Sequence, residues 1–203
     1  MDFEVIHPVE SPDHIRRYRE IIRRAIEGNT GKGQLQLIKQ AGWIAVPTHI
    51  GDLYAFEDED RLIQTLLDHG YQEFIAVDLS KMQNVSDVLI IPATVLGMED
   101  FKYNIFGWYV WFAGKPDWFI LMANTLDFII VAGQPDFVRR VLGCEPEQAS
   151  IDIREMSESE YLDPVVRKYY AHLLEQLQIT YLQSEPGTIV NLGLLDWDET
   201  PSA

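Results

Sequence analysis

The chain of 203 residues contains a single cysteine, Cys144, and so cannot close an internal disulfide. That points to a reducing compartment, and the cytoplasm is the expected location. Long apolar runs are also missing. Gly, Pro, Lys or Asp interrupts each one well short of the ~18 residues that would mark a membrane-spanning helix. The start, Met-Asp-Phe-Glu-Val-Ile-His-Pro, has no basic cluster and no apolar stretch, so no secretory leader is expected. Basic residues are scarce: 16 Lys and Arg stand against 32 Asp and Glu, for a net charge of −16. Residues 1–42 hold seven basic and six acidic side chains, so the remaining 161 residues carry a net charge of −17. An acidic body repels phosphates and anionic lipid, which excludes nucleic acid and membrane as expected partners. Solubility accounts for such charge, and so does attraction to a basic protein partner, whose encounter it speeds more than it tightens.

Catalytic signatures are absent as well. There is no Gly-x-Ser-x-Gly elbow and no Gly-x-Gly-x-x-Gly fingerprint. Gly28-Asn29-Thr30-Gly31-Lys32-Gly33 holds the ingredients of a phosphate loop, but Lys32 is followed by Gly33, where a phosphate loop needs Ser or Thr. The stretch reads as a connection between helices. The five histidines (His7, His14, His49, His69 and His172) form no pair at zinc-ligand spacing. Glu57-Asp58-Glu59-Asp60 lacks the alternation of a calcium loop and reads as the acidic first turn of a helix. Neither a metal nor a cofactor is expected. Cys144 follows a helix-stopping glycine, where the negative helix end disfavours a thiolate, so it reads as structural.

What the chain does have is an aromatic, apolar centre. Residues 105–133 break into three short runs, separated by Gly114-Lys115-Pro116-Asp117 and Asn124-Thr125-Leu126-Asp127. Runs rich in β-branched and aromatic residues between such turns read as strands. Connections this short join only antiparallel neighbours. The fold class expected is α+β: a mainly antiparallel sheet built on a three-stranded meander, packed by four or five helices. Residues 1–203 are expected to form a single domain, with 12–42 as an N-terminal helical element and 196–203 as a frayed acidic tail. Trp108, Val110 and Phe112 alternate with Tyr109 and Trp111, so both faces of the central strand are apolar. Such a strand must be covered twice, by its own helices or by a partner.

Around that centre the other elements fall into place. Ser11, Pro12 and Asp13 open a helix predicted to run to Glu27, with Ile15, Tyr18, Ile22, Ala25 and Ile26 on one face. A short helical segment is expected over 34–41. Strands are expected at 43–47, where Pro47 marks an end or a sheet edge, at 54–56 and at 71–79. A helix is expected over 59–68, with Leu62, Ile63, Leu66 and Leu67 inward. Residues 88–91 read as an edge strand or an apolar loop, and 97–104 as a polar connection. Pro135 starts a helix that Gly143 stops. Residues 145–160 fit strand and helix alike. Asp163 and Pro164 open a last helix to Gln178, and 188–195 reads as a final strand.

Two functions are carried forward. The first is a non-enzymatic, acidic protein-binding domain, for which a bacterial immunity or inhibitor protein set against a basic toxin is one concrete version. Its interaction residues would be Trp108, Tyr109, Trp111 and Trp118, together with Arg16 and Arg23 of the N-terminal helix. Those arginines could also pair with the acidic body of the same chain, the plainer option, or, in a homodimer, of a second copy. The second is a small-molecule binder or hydrolase-like enzyme at the strand ends, with His49, Asp52 and Asp78 as the catalytic candidates.

Overall fold

The computed structural model describes residues 4–29, 34–49, 56–79, 88–104, 108–123 and 128–193. At its centre lies the meander: β7 (Trp108–Phe112), β8 (Trp118–Ala123) and β9 (Phe128–Gly133), each antiparallel to the next. β5 (Glu73–Asp78) pairs with β7, and β6 (Val88–Pro92) pairs with β5. At one margin the two-residue β1 (His7–Pro8) adds to β6; at the other, β4 (Ile44–His49) adds to β9. The result is a seven-stranded antiparallel sheet in the order β1-β6-β5-β7-β8-β9-β4. Pro47 lies within a margin strand, where a missing N–H costs no ladder bond. Val88–Pro92 is an edge-proximal strand rather than a loop.

Both faces of the sheet are covered from within the chain. One face carries Phe74, Ala76, Tyr109, Trp111, Trp118, Ile120, Met122, Ile129 and Val131. Three helices pack on it: α2 (Phe56–Asp68), α3 (Val95–Asn104) and α4 (Pro135–Leu142), through Leu62, Leu66, Met98, Phe101, Phe137, Val138 and Val141. The other face carries Ile75, Val77, Val110, Phe112, Phe119, Leu121, Phe128 and Ile130. It is covered by α1 (Pro12–Arg23), α6 (Ile151–Glu158), α7 (Pro164–Leu174) and a second, three-stranded sheet. That sheet runs β10-β3-β2, with β2 at Ile26–Asn29, β3 at Gln34–Ile38 and β10 at Ile189–Asn191. The short α5 (Pro146–Ala149) precedes α6. α7 continues as a wider π-helical stretch over Glu175–Tyr181.

Several expectations need correction. The N-terminal helix ends at Arg23, not Glu27, and Ile26–Asn29 turns into a strand. The segment expected to be helical over 34–41 is β3, because Leu35 and Leu37 face the core while Gln36 and Ile38 are only half-buried. The link between helices is therefore a link between paired strands, since Ile26 to Asn29 register with Leu37 to Gln34. Phe56 belongs to α2 rather than to a strand, and Leu67 is exposed rather than inward. The polar connection at 97–104 is α3. The ambiguous 145–160 is helical, and the last strand is only Ile189–Asn191. Residues 54, 55 and 194–203, the frayed tail included, lie outside the described residues.

Local chemistry explains the helix ends. Ser11 Oγ accepts the His14 N–H and Asp163 Oδ1 accepts the Val165 N–H at 2.7 Å, capping α1 and α7. Gly143 closes α4 in the left-handed region at φ 70°, and a side chain there would lie 2.6 Å from the Arg61 guanidinium. Gly97 lets α3 approach β6, since its Cβ would sit 2.3 Å from the Pro92 carbonyl oxygen.

Two polar devices tie the parts together. Lys39, beyond β3, is buried; its ammonium donates to the Trp43 carbonyl at 2.6 Å and lies 4.3 Å from the centre of the Tyr181 ring. Burial pushes its pKa below the usual lysine value. Asp100 on α3 is also buried, and one carboxylate oxygen accepts the N–H groups of Glu4, Val5 and Ile6 at 2.9, 3.0 and 3.1 Å. This holds the lead-in so that Ile6 reaches the core. Asp100→Ala strands those donors and is expected to cost about 3 kcal/mol. Hydrogen exchange at Glu4–Ile6 should accelerate more than in β7 or β8; equal protection in variant and parent would contradict the clasp.

Candidate functional site

The structure separates the strand-end candidates. β4 and β5 run in the same direction, so His49 and Asp78 close their strands at the same end of the sheet. Between them, however, stand β9, β8 and β7, a separation of ~19 Å at ordinary strand spacing. Asp78 is buried opposite Tyr109, His49 is half-buried opposite Phe128, and Asp52 lies outside the described residues. Among the described residues no group of three or more His, Cys, Asp or Glu could hold a metal ion.

The aromatic candidates go into the core. Trp111 is 0 % exposed, Trp118 1 % and Tyr109 8 %, all under α2, α3 and α4. They hold the chain's own layers together and present no surface to a partner. Trp108 opens β7, but its side chain is outside the described set. The second cover foreseen for the sheet is thus supplied by the chain itself.

Arg16 and Arg23 do come together. With Pro12, Ile15 and Arg19 they line one groove along α1. Arg16 pairs with Asp13, and Arg24 with Glu20 at 3.0 Å, both within the same helix. These exposed local pairs are worth only about 0.3–0.5 kcal/mol each, so they organise α1 more than they dock it.

Beside the last residues of β4 lies a pocket of about 220 Å³, lined in part by Thr48, Arg61, Cys144, Gln148 and Asp152. No histidine borders it. Arg61 Nε donates to the Val141 carbonyl at 3.0 Å, where a cation suits the carboxyl end of α4. Cys144 is half-buried on its wall. The guanidinium caps a helix here.

The most exposed aromatic ring among the described residues was not one of those singled out from sequence. Tyr161 is 101 % exposed, on the connection between α6 and α7. Those two helices pack against each other, so the connection forms the tip of a helical hairpin. Val165, one turn further on, is 50 % exposed. Between Arg154 and Arg167 the chain has four acids (Glu155, Glu158, Glu160 and Asp163), all exposed, and no base. The tip is held in shape: the Tyr161 N–H meets Ser159 Oγ at 3.3 Å, and Asp163 caps α7. One sequence signal could have found it. With Asp163 as the cap, Tyr161 lies two residues outside the helix, in an acidic run where its neighbour Leu162, not Tyr161, turns to the core.

No helix among the described residues is long and apolar enough to cross a membrane. Comparison with known protein families, with curated proteins and with solved structures finds no match.

Proposed function

We propose that this chain is an acidic protein-binding domain, of the immunity or inhibitor kind, that recognises a basic protein partner. The observation that carries this reading is the fully exposed Tyr161, set with Val165 among four exposed carboxylates and no base. Tyrosine is a favoured hot-spot residue, because it brings large contact area at a small cost in side-chain entropy. Surrounding acids steer a basic surface toward it and discourage acidic competitors. The chain's net charge of −16 acts in the same direction at longer range. Absence of a metal-competent cluster among the described residues, and the distance between His49 and Asp78, give the hydrolase-like alternative less support.

The test compares three immobilised proteins: the parent, Tyr161→Ala, and a Glu158→Lys, Glu160→Lys double variant. Because these side chains are exposed, folding stability should stay within about 0.5 kcal/mol of the parent. A partner recognised here is retained by the parent at low salt and released at high salt. Tyr161→Ala should weaken it roughly 30-fold, the size of a hot-spot loss, and charge reversal should slow its association. Retention of the same partner by all three proteins would overturn the proposal.

A further inference from the structure

At the opposite end of the sheet from His49, the turn before β8 opens onto a pocket of about 380 Å³. Trp43, Tyr71, Trp118 and Phe137 wall it, and Asp117 and Asp136 bring carboxylates to it. The size falls at the lower end of small-ligand sites. Its walls are fixed by the core. Trp43, Trp118 and Phe137 are buried, Trp118 and Phe137 stack at 5.2 Å and 17°, and Tyr71 meets Trp118 edge-on at 6.1 Å. A ligand would therefore have little to organise on entry.

The lining selects a class of ligand. Aromatic faces carry negative quadrupole density and attract cations. Two carboxylates add to that; among the described residues His69 also lines the pocket, and Lys115 stands beside Asp117. The chain already places a cation against this lining. Lys115 Nζ lies 5.0 Å from the centre of the Tyr71 ring and 2.7 Å from Asp117 Oδ2. The Tyr71 hydroxyl donates to that same oxygen. Burial alone would raise the Asp117 pKa, but the hydrogen bonds from Lys115 and Tyr71 outweigh it and hold the carboxyl below its usual range. Burial, then the bond to Asp117, pushes the Tyr71 phenol up, so it remains a neutral donor.

Two groups oppose an incoming cation, the amino end of α4 and the Lys115 ammonium. The amino end of α4 opens here and carries the equivalent of about half a positive charge. Asp136, in its first turn, is a full carboxylate and more than offsets it. Lys115 is 57 % exposed on a flexible stem and is free to give way.

We propose that this pocket binds a small organic cation, a quaternary ammonium or a comparable amine. The charged head rests against Tyr71 and the carboxylates of Asp117 and Asp136, with the buried Trp118 and Phe137 rings as the rigid backing behind Tyr71. Tyr161 plays no part in it, so this site stands or falls apart from the protein-binding proposal.

The probe is choline, titrated into the full chain by tryptophan fluorescence beside its uncharged isostere 3,3-dimethylbutan-1-ol. Choline should saturate with a Kd on the order of 1 mM or tighter, and the alcohol should bind about tenfold more weakly. Asp117→Asn should weaken choline. So should Asp136→Asn, whose carboxylate is exposed and makes no hydrogen bond among the described residues, which separates loss of binding from loss of structure. Lys115→Met, which removes the tethered competitor, should tighten it, and Tyr161→Ala should leave it unchanged. The site is ruled out if choline fails to saturate, if the alcohol binds equally well, or if choline binds Asp136→Asn as it binds the parent.

Discussion

Trp111→Ala is expected to lower the unfolding free energy by about 3–5 kcal/mol, the range for deleting a large buried ring. Trp111 is wholly buried at the middle of the sheet, 5.2 Å from the Phe74 ring and 5.0 Å, edge-on, from Phe101. The ring thus joins β5, β7 and α3. In a chain of this size the loss should appear as a melting shift of roughly 10 °C. Trp111→Phe makes an informative companion. The indole N–H has no acceptor among the described residues, and an orphaned buried donor costs about 1–3 kcal/mol. Phenylalanine loses contact area but also removes that donor, so its net cost should be far smaller. Urea unfolding of both variants checks this. A loss under about 1 kcal/mol for Trp111→Ala would mean that the helical layer does not close on this strand.

The second large effect concerns the ion pair between Lys102 of α3 and Glu59 of α2. The side chains are only 17 % and 7 % exposed. Lys102→Met removes the ammonium and leaves the carboxylate in an apolar layer, at an expected cost of about 3–5 kcal/mol. Replacing both, as Lys102→Met with Glu59→Leu, removes the desolvation penalty as well, and stability should return to near the parent or above it. Glu59 Oε1 already has no partner among the described residues, which favours the apolar replacement. The pattern to look for in thermal unfolding is one large loss in the single variant and its recovery in the double. Equal losses in both would show that packing of the lysine stem, not its charge, ties α3 to α2.

The centre of the fold was legible because its signals are local and mutually consistent. Gly114, Pro116 and Asp117 punctuate runs of β-branched and aromatic residues, and the period-two alternation of Tyr109 to Phe112 foretold two cores. Pro135 and Gly143 bracketed α4 for the same reason. Elsewhere tertiary context decided. Ile26, Leu35 and Leu37 could serve a helix or a strand, and pairing with Ile189–Asn191, far along the chain, settles it. α3 escaped notice because Val95, Leu96 and Tyr103 are exposed, so only Met98 and Phe101 mark its inner face and no broad apolar stripe appears. The candidate residues fared according to chemistry. The aromatics were correctly seen as paired across two faces, but no pattern in sequence says who supplies the cover. Tyr161 carries no periodic signal, and its exposure follows only from where two helices end.

The margins of the large sheet have a further consequence. Each is formed by a strand that contains proline: Pro8 in β1 and Pro47 in β4. An incoming extended chain would need a continuous row of backbone donors, and proline breaks the row. At β4 the Pro47 carbonyl already accepts the Ser150 hydroxyl at 3.0 Å, and α5 and α6 lie across the strand. At β1 only two residues are on offer. The large sheet is therefore a poor template for edge-to-edge polymerisation. At these two margins association is left to side chains, where specificity can be written, rather than to backbone, where it cannot.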